Sequence, residues 1–272
     1  MSDTLLQLTD LCIRTHQRTL VDGVNISVQR GKVTAVVGHS GSGKSLSARA
    51  CMGVLDVDPG LVRGSLVYPG IQTGNLFEGV HGGGMRAQRR LLKQTAQYRG
   101  GYVTYSPQSA SSALNPGRTI GRQLQIAIAR RTETPNSVQD EIRRVLDEVG
   151  LPHRASSALP RELSGGMAQR AALALAIAPS PQVMIADEPE TGLDPVLRRV
   201  VTELMLQVAS DHGVALMLIS HNMDTVRRIA DSVVRIGPGD GHGALPDGLD
   251  QEPVGEELPT EHGAPPVGTG DV

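Results

Sequence analysis

The spacing of apolar residues changes character several times along the 272-residue chain, and each change predicts an element. Leu5 to Ile13 and Val24 to Gln29 mix apolar with polar positions at the period of half-wet strands. Lys32 to Gly38 is an almost unbroken apolar run, as in a strand buried on both faces of a parallel sheet. A glycine-rich loop, Gly38 to Ser45, follows, and Lys44 to about Val54 continues as a helix. Ser65 to Tyr68 predicts a strand, Gly70 to Gly84 a mobile loop, and Arg86 to Tyr98 a surface helix whose basic side chains stay wet. Tyr102 to Tyr105, Gln182 to Ala186 and Ala215 to Ser220 read as short strands. Helical spacing marks Ile120 to about Arg131, Val138 to Val149, Met167 to Ala178, Pro195 to Ser210 and Met223 to Ile229.

Strands alternating with helices predict an α/β fold with a mostly parallel sheet, an N-terminal antiparallel β subdomain and an inserted α-helical subdomain over about residues 117–180. Residues 1–236 are read as one domain. From Gly237 to Val272 the chain is acidic and dense in Gly and Pro, too poor in large apolar side chains to offset its ordering entropy, so a disordered tail is expected.

Composition sharpens this picture. The chain is 39% hydrophobic but only 2% aromatic, with no Trp and one Phe, so its core must be built from Ala, Val, Leu and Ile. No apolar run reaches the roughly 18 to 20 residues of a membrane-spanning helix, and the polar start lacks the pattern of a signal peptide, so a cytosolic chain is expected. Cys12 and Cys51 read as reduced, buried, small apolar side chains rather than metal ligands. Residues 237–272 carry eight acidic and no Lys or Arg side chains, so the body has a net charge of +6 (26 basic, 20 acidic). That suits phosphate ligands, but no basic stripe with interleaved aromatics points to nucleic acid.

Gly38-His39-Ser40-Gly41-Ser42-Gly43-Lys44-Ser45 fits G-x-x-x-x-G-K-[ST] between a buried strand and a helix, the context in which backbone N–H groups and a helix N-terminus cradle phosphates. Lys44 is expected to reach the outer phosphates of a nucleotide and the Ser45 hydroxyl to bind Mg²⁺. Val183 to Glu188 is an apolar strand that delivers two carboxylates at its carboxyl end. Asp187 is expected to hold the metal and Glu188 to act as general base toward a water. Ser164-Gly165-Gly166 opens a second helix in the same manner. One nucleotide needs one cradle, so the second makes sense if it serves a facing subunit in a head-to-tail dimer.

With these residues the sequence resembles the ATP-binding subunits of ABC transporters, on a P-loop NTPase core, over about residues 5–236. Leu163 to Met167 with Gln169 and Arg170 matches the family signature, Gln108 the Q-loop, Glu190 to Asp194 the D-loop, and His221 the switch histidine. The resemblance implies that Gln108 ligands Mg²⁺ and senses a membrane partner, that Ser164, Gly165 and Gly166 contact the γ-phosphate across the dimer, that Asp194 couples the two sites, and that His221 holds the γ-phosphate and the water. Ser106 to Pro116 is similar to the Q-loop region of the peptide and nickel importer branch. Membership there implies a second, different ATPase subunit, two permeases docking beside Ser109 to Gln123, an extracytoplasmic binding protein, and a place on the cytoplasmic face of the membrane.

Some positions depart from the pattern. Thr15 and His16 stand where the family stacks an aromatic side chain on adenine, which implies weaker base stacking and relaxed adenine selectivity unless His16 substitutes. Glu190 and Gly192 replace a small polar residue and alanine in the D-loop, which could disturb coupling between sites. The last strand pair and the extension after His221 are expected to be absent or replaced by the acidic tail. Rival readings are a non-transport ABC ATPase, an exporter subunit, and a subunit that holds ATP while hydrolysing it slowly.

Overall fold

A computed structural model describes residues 3–71, 74–131, 135–191 and 193–237. The expected tail therefore lies, from residue 238 on, outside the described residues, as does Gly192.

In chain order the elements are β1 (Thr4–Thr15), β2 (Thr19–Gln29), β3 (Val33–Val37), α1 (Lys44–Cys51), β4 (Pro59–Val67), α2 (Gly84–Gln94), β5 (Val103–Ser106), α3 (Ala110–Ala113) and α4 (Ile120–Ile128). They continue with α5 (Val138–Glu148), α6 (Gly165–Ile177), β6 (Val183–Asp187), α7 (Pro195–His212), β7 (Ala215–Ile219), α8 (Met223–Ile229) and β8 (Ser232–Arg235). Two sheets result: an antiparallel one ordered β2-β1-β4 and a parallel one ordered β5-β6-β7-β3-β8.

The strands that read as continuous apolar runs occupy the middle of the parallel sheet, and every residue of β3, β6 and β7 is buried. Because successive side chains point to opposite faces, each strand feeds two cores. Val183, Ile185, Met217 and Ile219 pack toward the antiparallel sheet with Leu6, Leu8, Ile26 and Leu66. Met184, Ala186, Leu216 and Leu218 pack toward the helices with Leu124, Val145, Leu146 and Met205.

The structure corrects three expectations. β4 starts at Pro59 rather than near Ser65: Pro59, Gly60 and Gly64 make its first half look like loop, yet Pro is tolerated at the start of an edge strand. The described part of the predicted mobile loop is packed, because Leu76, Phe77 and Val80 are fully buried in the core among its glycines. Finally, a strand does follow α8: β8 pairs with β3 from Thr34↔Ser232 to Val37↔Arg235. It is a short, half-exposed edge strand whose two valines, Val233 and Val234, are too brief a run to mark it.

The basic helix α2 is wet on one side only, since Ala87, Gln88 and Leu91 are buried and Gln88 Nε2 donates to the Pro59 carbonyl at 3.2 Å. Both cysteines are free and buried, and burial pushes the Cys51 thiol up to about 12, which keeps it protonated and inert. The single Phe tests the packing of the glycine-rich segment. Phe77→Ala is expected to cost about 3–5 kcal/mol in denaturant unfolding; a loss below about 1 kcal/mol would mean that the segment is not part of the core.

Candidate functional site

The phosphate loop begins where β3 leaves the sheet. Its glycines are dictated by contact: a Cβ on Gly38 would lie 2.2 Å from the Ile236 carbonyl oxygen, and one on Gly43, at φ 98°, would lie 2.5 Å from Val21 Cγ2. Lys44, 6% exposed, donates from Nζ to the carbonyls of Gly38 at 2.9 Å and His39 at 3.0 Å, so the ammonium is folded back over its own loop. Ser42 is buried with its hydroxyl lacking a hydrogen-bond partner, while His39, Ser40 and Gly41 are exposed. The first N–H groups of α1 have no intrahelical acceptor. A phosphate seated here would answer the Ser42 hydroxyl, those N–H groups and the Lys44 charge together, so the residues present fit an anionic group.

Opposite the loop, β6 ends at Asp187, 4% exposed. Its Oδ1 accepts from Ser45 Oγ at 3.1 Å and its Oδ2 from the Tyr105 hydroxyl at 2.6 Å. Burial, then the hydrogen bond and charge of Asp187, push the Tyr105 phenol well above its ordinary value, so it stays a donor. Ser45 and Asp187 are hard oxygen donors placed side by side, the chemistry that Mg²⁺ takes when water and phosphate complete its shell.

Glu188 departs from the strand with φ 46°, uncommon for a residue with a side chain, while its N–H still donates to the Ile219 carbonyl at 2.9 Å. Three groups converge on its Oε2: Gln108 Nε2 at 3.1 Å, Thr191 Oγ1 at 3.2 Å and His221 Nδ1 at 3.5 Å. The carboxylate is thus oriented by neutral donors and an exposed imidazole, with no Lys or Arg ion pair among the described residues. Local strain at this residue is what a functional position tolerates.

The remaining candidates stand apart from this cluster. Ser164 caps α6 by accepting from Met167 N at 3.3 Å, and a Cβ on Gly165 would meet nothing within 4 Å, so the second helix mouth opens on free space. Gly166 accepts from Arg170 Nε at 3.4 Å. Asp194 accepts from Val196 N at 3.0 Å where α7 begins. Thr15 Oγ1 is used inside its own turn, by Gln17 N and Arg18 N, and His16 Nε2 lies 3.1 Å from Asp58 Oδ2 on the surface. Sequence reasoning missed Tyr105 and Thr191. Tyr105 pairs with Ile185 in the β5–β6 register, two residues before Asp187, so the parallel alignment of the two strands could have found it.

A family model described as ABC transporter matches residues 21–191, more than half of the chain. The chain is 35% identical over 217 residues to the dipeptide transport ATP-binding protein DppD of Escherichia coli (strain K12), covering 79% of this chain and 62% of that protein. It is 34% identical over 224 residues to the oligopeptide transport ATP-binding protein OppD of Lactococcus lactis subsp. cremoris (strain SK11), covering 80% and 61%. The chain spans about three fifths of the length of these curated relatives. Among solved structures, the ATP-binding cassette MJ0796, in a dimeric post-hydrolysis state bound to ADP and Pi, superposes with a TM-score of 0.67 at 18% identity, over 85% of this chain and 94% of that one. The two-sheet architecture agrees with the superposed cassette, and by the family match and these relatives the chain belongs to the ABC transporter ATP-binding family.

Proposed function

We propose that this chain binds ATP with Mg²⁺, hydrolyses it, and works as one half of a nucleotide-sandwich dimer that energises an importer of peptides, nickel or metal chelates. One observation carries the reading. A buried lysine loop, a buried carboxylate joined to Ser45, and a second carboxylate beside His221 converge at the same edge of one sheet. Within that site Gly38 to Ser45 bind the triphosphate, Lys44 turning from its own carbonyls to the outer phosphates. Glu188 takes a proton from the attacking water, with Gln108 and Thr191 fixing its carboxylate, and His221 holds the γ-phosphate end. Ser45, Asp187 and Gln108 would hold Mg²⁺, which when bound offsets negative charge on the β- and γ-phosphates.

Residues 1–236 form the nucleotide-binding unit in this reading, with the helical insertion at about residues 117–180. Ser164, Gly165 and Gly166 serve the nucleotide of the facing subunit, and Asp194 couples the two sites; the open space around Gly165 and the dimeric state of the superposed cassette support this arrangement. A groove of about 500 Å³ runs between β5 and the helical insertion, lined by Tyr105, Asn115, Gln123, Ile126, Ala172 and Leu175. It is where a helix of the permease would seat. The names of the relatives support uptake of short peptides; in this reading the partners would be a second, different ATPase subunit, two permeases and an extracytoplasmic binding protein. The chain would sit on the cytoplasmic face of the membrane through the permeases, and no described helix is long and apolar enough to cross it.

Lys44→Ala is expected to abolish binding of a fluorescent ATP analogue by the full chain, and retained tight binding would contradict the cradle. Glu188→Gln should bind ATP normally but slow turnover of the assembled complex by about 100-fold or more at this site. A parental rate would sink the catalytic assignment. At the groove, Ile126, 41% exposed, is the test position. Ile126→Arg should weaken co-purification with the permeases while leaving nucleotide affinity within about twofold, because it removes an apolar contact and adds positive charge to a groove that Arg99, Arg118 and Arg130 already line.

A further inference from the structure

Glu190 is 3% exposed, and among the described residues no Lys, Arg or His forms an ion pair with it. A buried carboxylate costs several kcal/mol unless hydrogen bonds replace its water. Here hydroxyls do so: Ser220 Oγ donates to Oε1 at 2.5 Å and Thr225 Oγ1 to Oε2 at 3.4 Å. The Glu190 side chain therefore turns inward beneath the loop that follows β7.

That loop carries His221. Ser220 Oγ, while donating to Glu190, accepts from Asn222 N at 3.0 Å, so one hydroxyl pins the residues on both sides of His221. Asn222 in turn caps α8 by accepting from Asp224 N and Thr225 N, and Thr225 is the second donor to Glu190. On the other side, the Glu190 carbonyl accepts from Leu193 N at 3.3 Å, and the adjoining Pro189 carbonyl accepts from Gln169 Nε2 of α6 at 3.0 Å. Glu190 thus ties three pieces together: the turn after Glu188, the segment leading to Asp194, and the loop of His221.

We propose that Glu190 is a positioning residue that holds His221 against Glu188 through Ser220. The inference rests on the reading of Glu188 and His221 as the hydrolytic pair. The separation of that pair, 3.5 Å, is at the outer limit of a useful contact, so a shift of a few tenths of an ångström in the His221 loop decides whether the two act on one water. A hydroxyl clamp to a buried acceptor suppresses such a shift, because moving the loop would leave buried polar groups without a partner.

The test compares Glu190→Gln, Glu190→Leu and His221→Ala in the full chain, reading ATP turnover of the assembled complex and the affinity of the chain for a fluorescent ATP analogue. Glu190→Gln keeps an acceptor for Ser220 and should retain turnover within about threefold. Glu190→Leu fills the same space without an acceptor and should lower kcat by about 10- to 100-fold with nucleotide affinity unchanged. A parental kcat in Glu190→Leu, a parallel loss of nucleotide affinity, or a Gln variant as slow as the Leu variant would each overturn the proposal. Should Glu190→Leu fail to fold, Ser220→Ala removes the donor instead and is held to the same kcat and affinity outcomes. His221→Ala separates the two layers: if it turns over like the parent, the hydrolytic reading falls and the positioning role with it, whereas a slow His221→Ala beside a fast Glu190→Leu rejects the positioning role alone.

Discussion

The site depends on the hydrogen-bond ladder of the parallel sheet continuing one residue past its strands. Glu188 N–H donates to the Ile219 carbonyl at 2.9 Å, and Ser220 N–H donates to the Val36 carbonyl at 3.3 Å. These bonds prolong the registers of β6 on β7 and of β7 on β3, and they bring the ends of three buried strands to one line. From that line spring Gly38, Glu188 and His221, residues far apart in the chain. Loops at the carboxyl ends of parallel strands all leave from the same edge, which is why polar chemistry gathers there while the strands remain apolar. The sheet can hold this edge rigid because β3, β6 and β7 are buried on both faces, so sliding one strand would cost both cores at once.

At this edge charges are answered by neutral groups. The Lys44 ammonium is met by two carbonyls, Asp187 by the hydroxyls of Ser45 and Tyr105, and Glu190 by those of Ser220 and Thr225. A direct Lys44–Asp187 ion pair would satisfy both charges and leave little for a ligand; dipolar partners solvate each charge while leaving its field available. Under the proposed function, the Ser45 and Tyr105 hydroxyls hold Asp187 in place before a ligand arrives, while Lys44 exchanges its two carbonyls for the outer phosphates.

Much of this was legible in the chain. The runs of Val33 to Val37 and Val183 to Ala186 gave buried strands, and the motif from Gly38 to Ser45 gave the loop between strand and helix, because these signals are local and depend on the backbone. What escaped detection depended on contacts between distant segments. The segment holding Leu76, Phe77 and Val80 reads as glycine-rich loop until the core it fills is known. Tyr105 becomes a partner of Asp187 only through strand register, and Glu190 reads only as a departure from the D-loop pattern until Ser220 and Thr225 are seen to close over it. Polar residues are the hardest to place from sequence, since burial of a polar group depends on a partner that periodicity does not reveal.

The same reasoning applies to the base end of the nucleotide. Thr15 spends its hydroxyl on the N–H groups of Gln17 and Arg18 and has no ring to offer, while the His16 imidazole is tied through Nε2 to Asp58 on the surface, a contact in the ring plane. An aromatic platform contributes by stacking, and a threonine in a closed turn has no surface of that kind to offer. Under the proposed function, binding free energy then concentrates at the phosphate end, in Lys44, the Ser42 hydroxyl and the mouth of α1. Those groups recognise a triphosphate and are indifferent to the base it carries, so in this reading affinity is set at the phosphate end and discrimination between bases is weak.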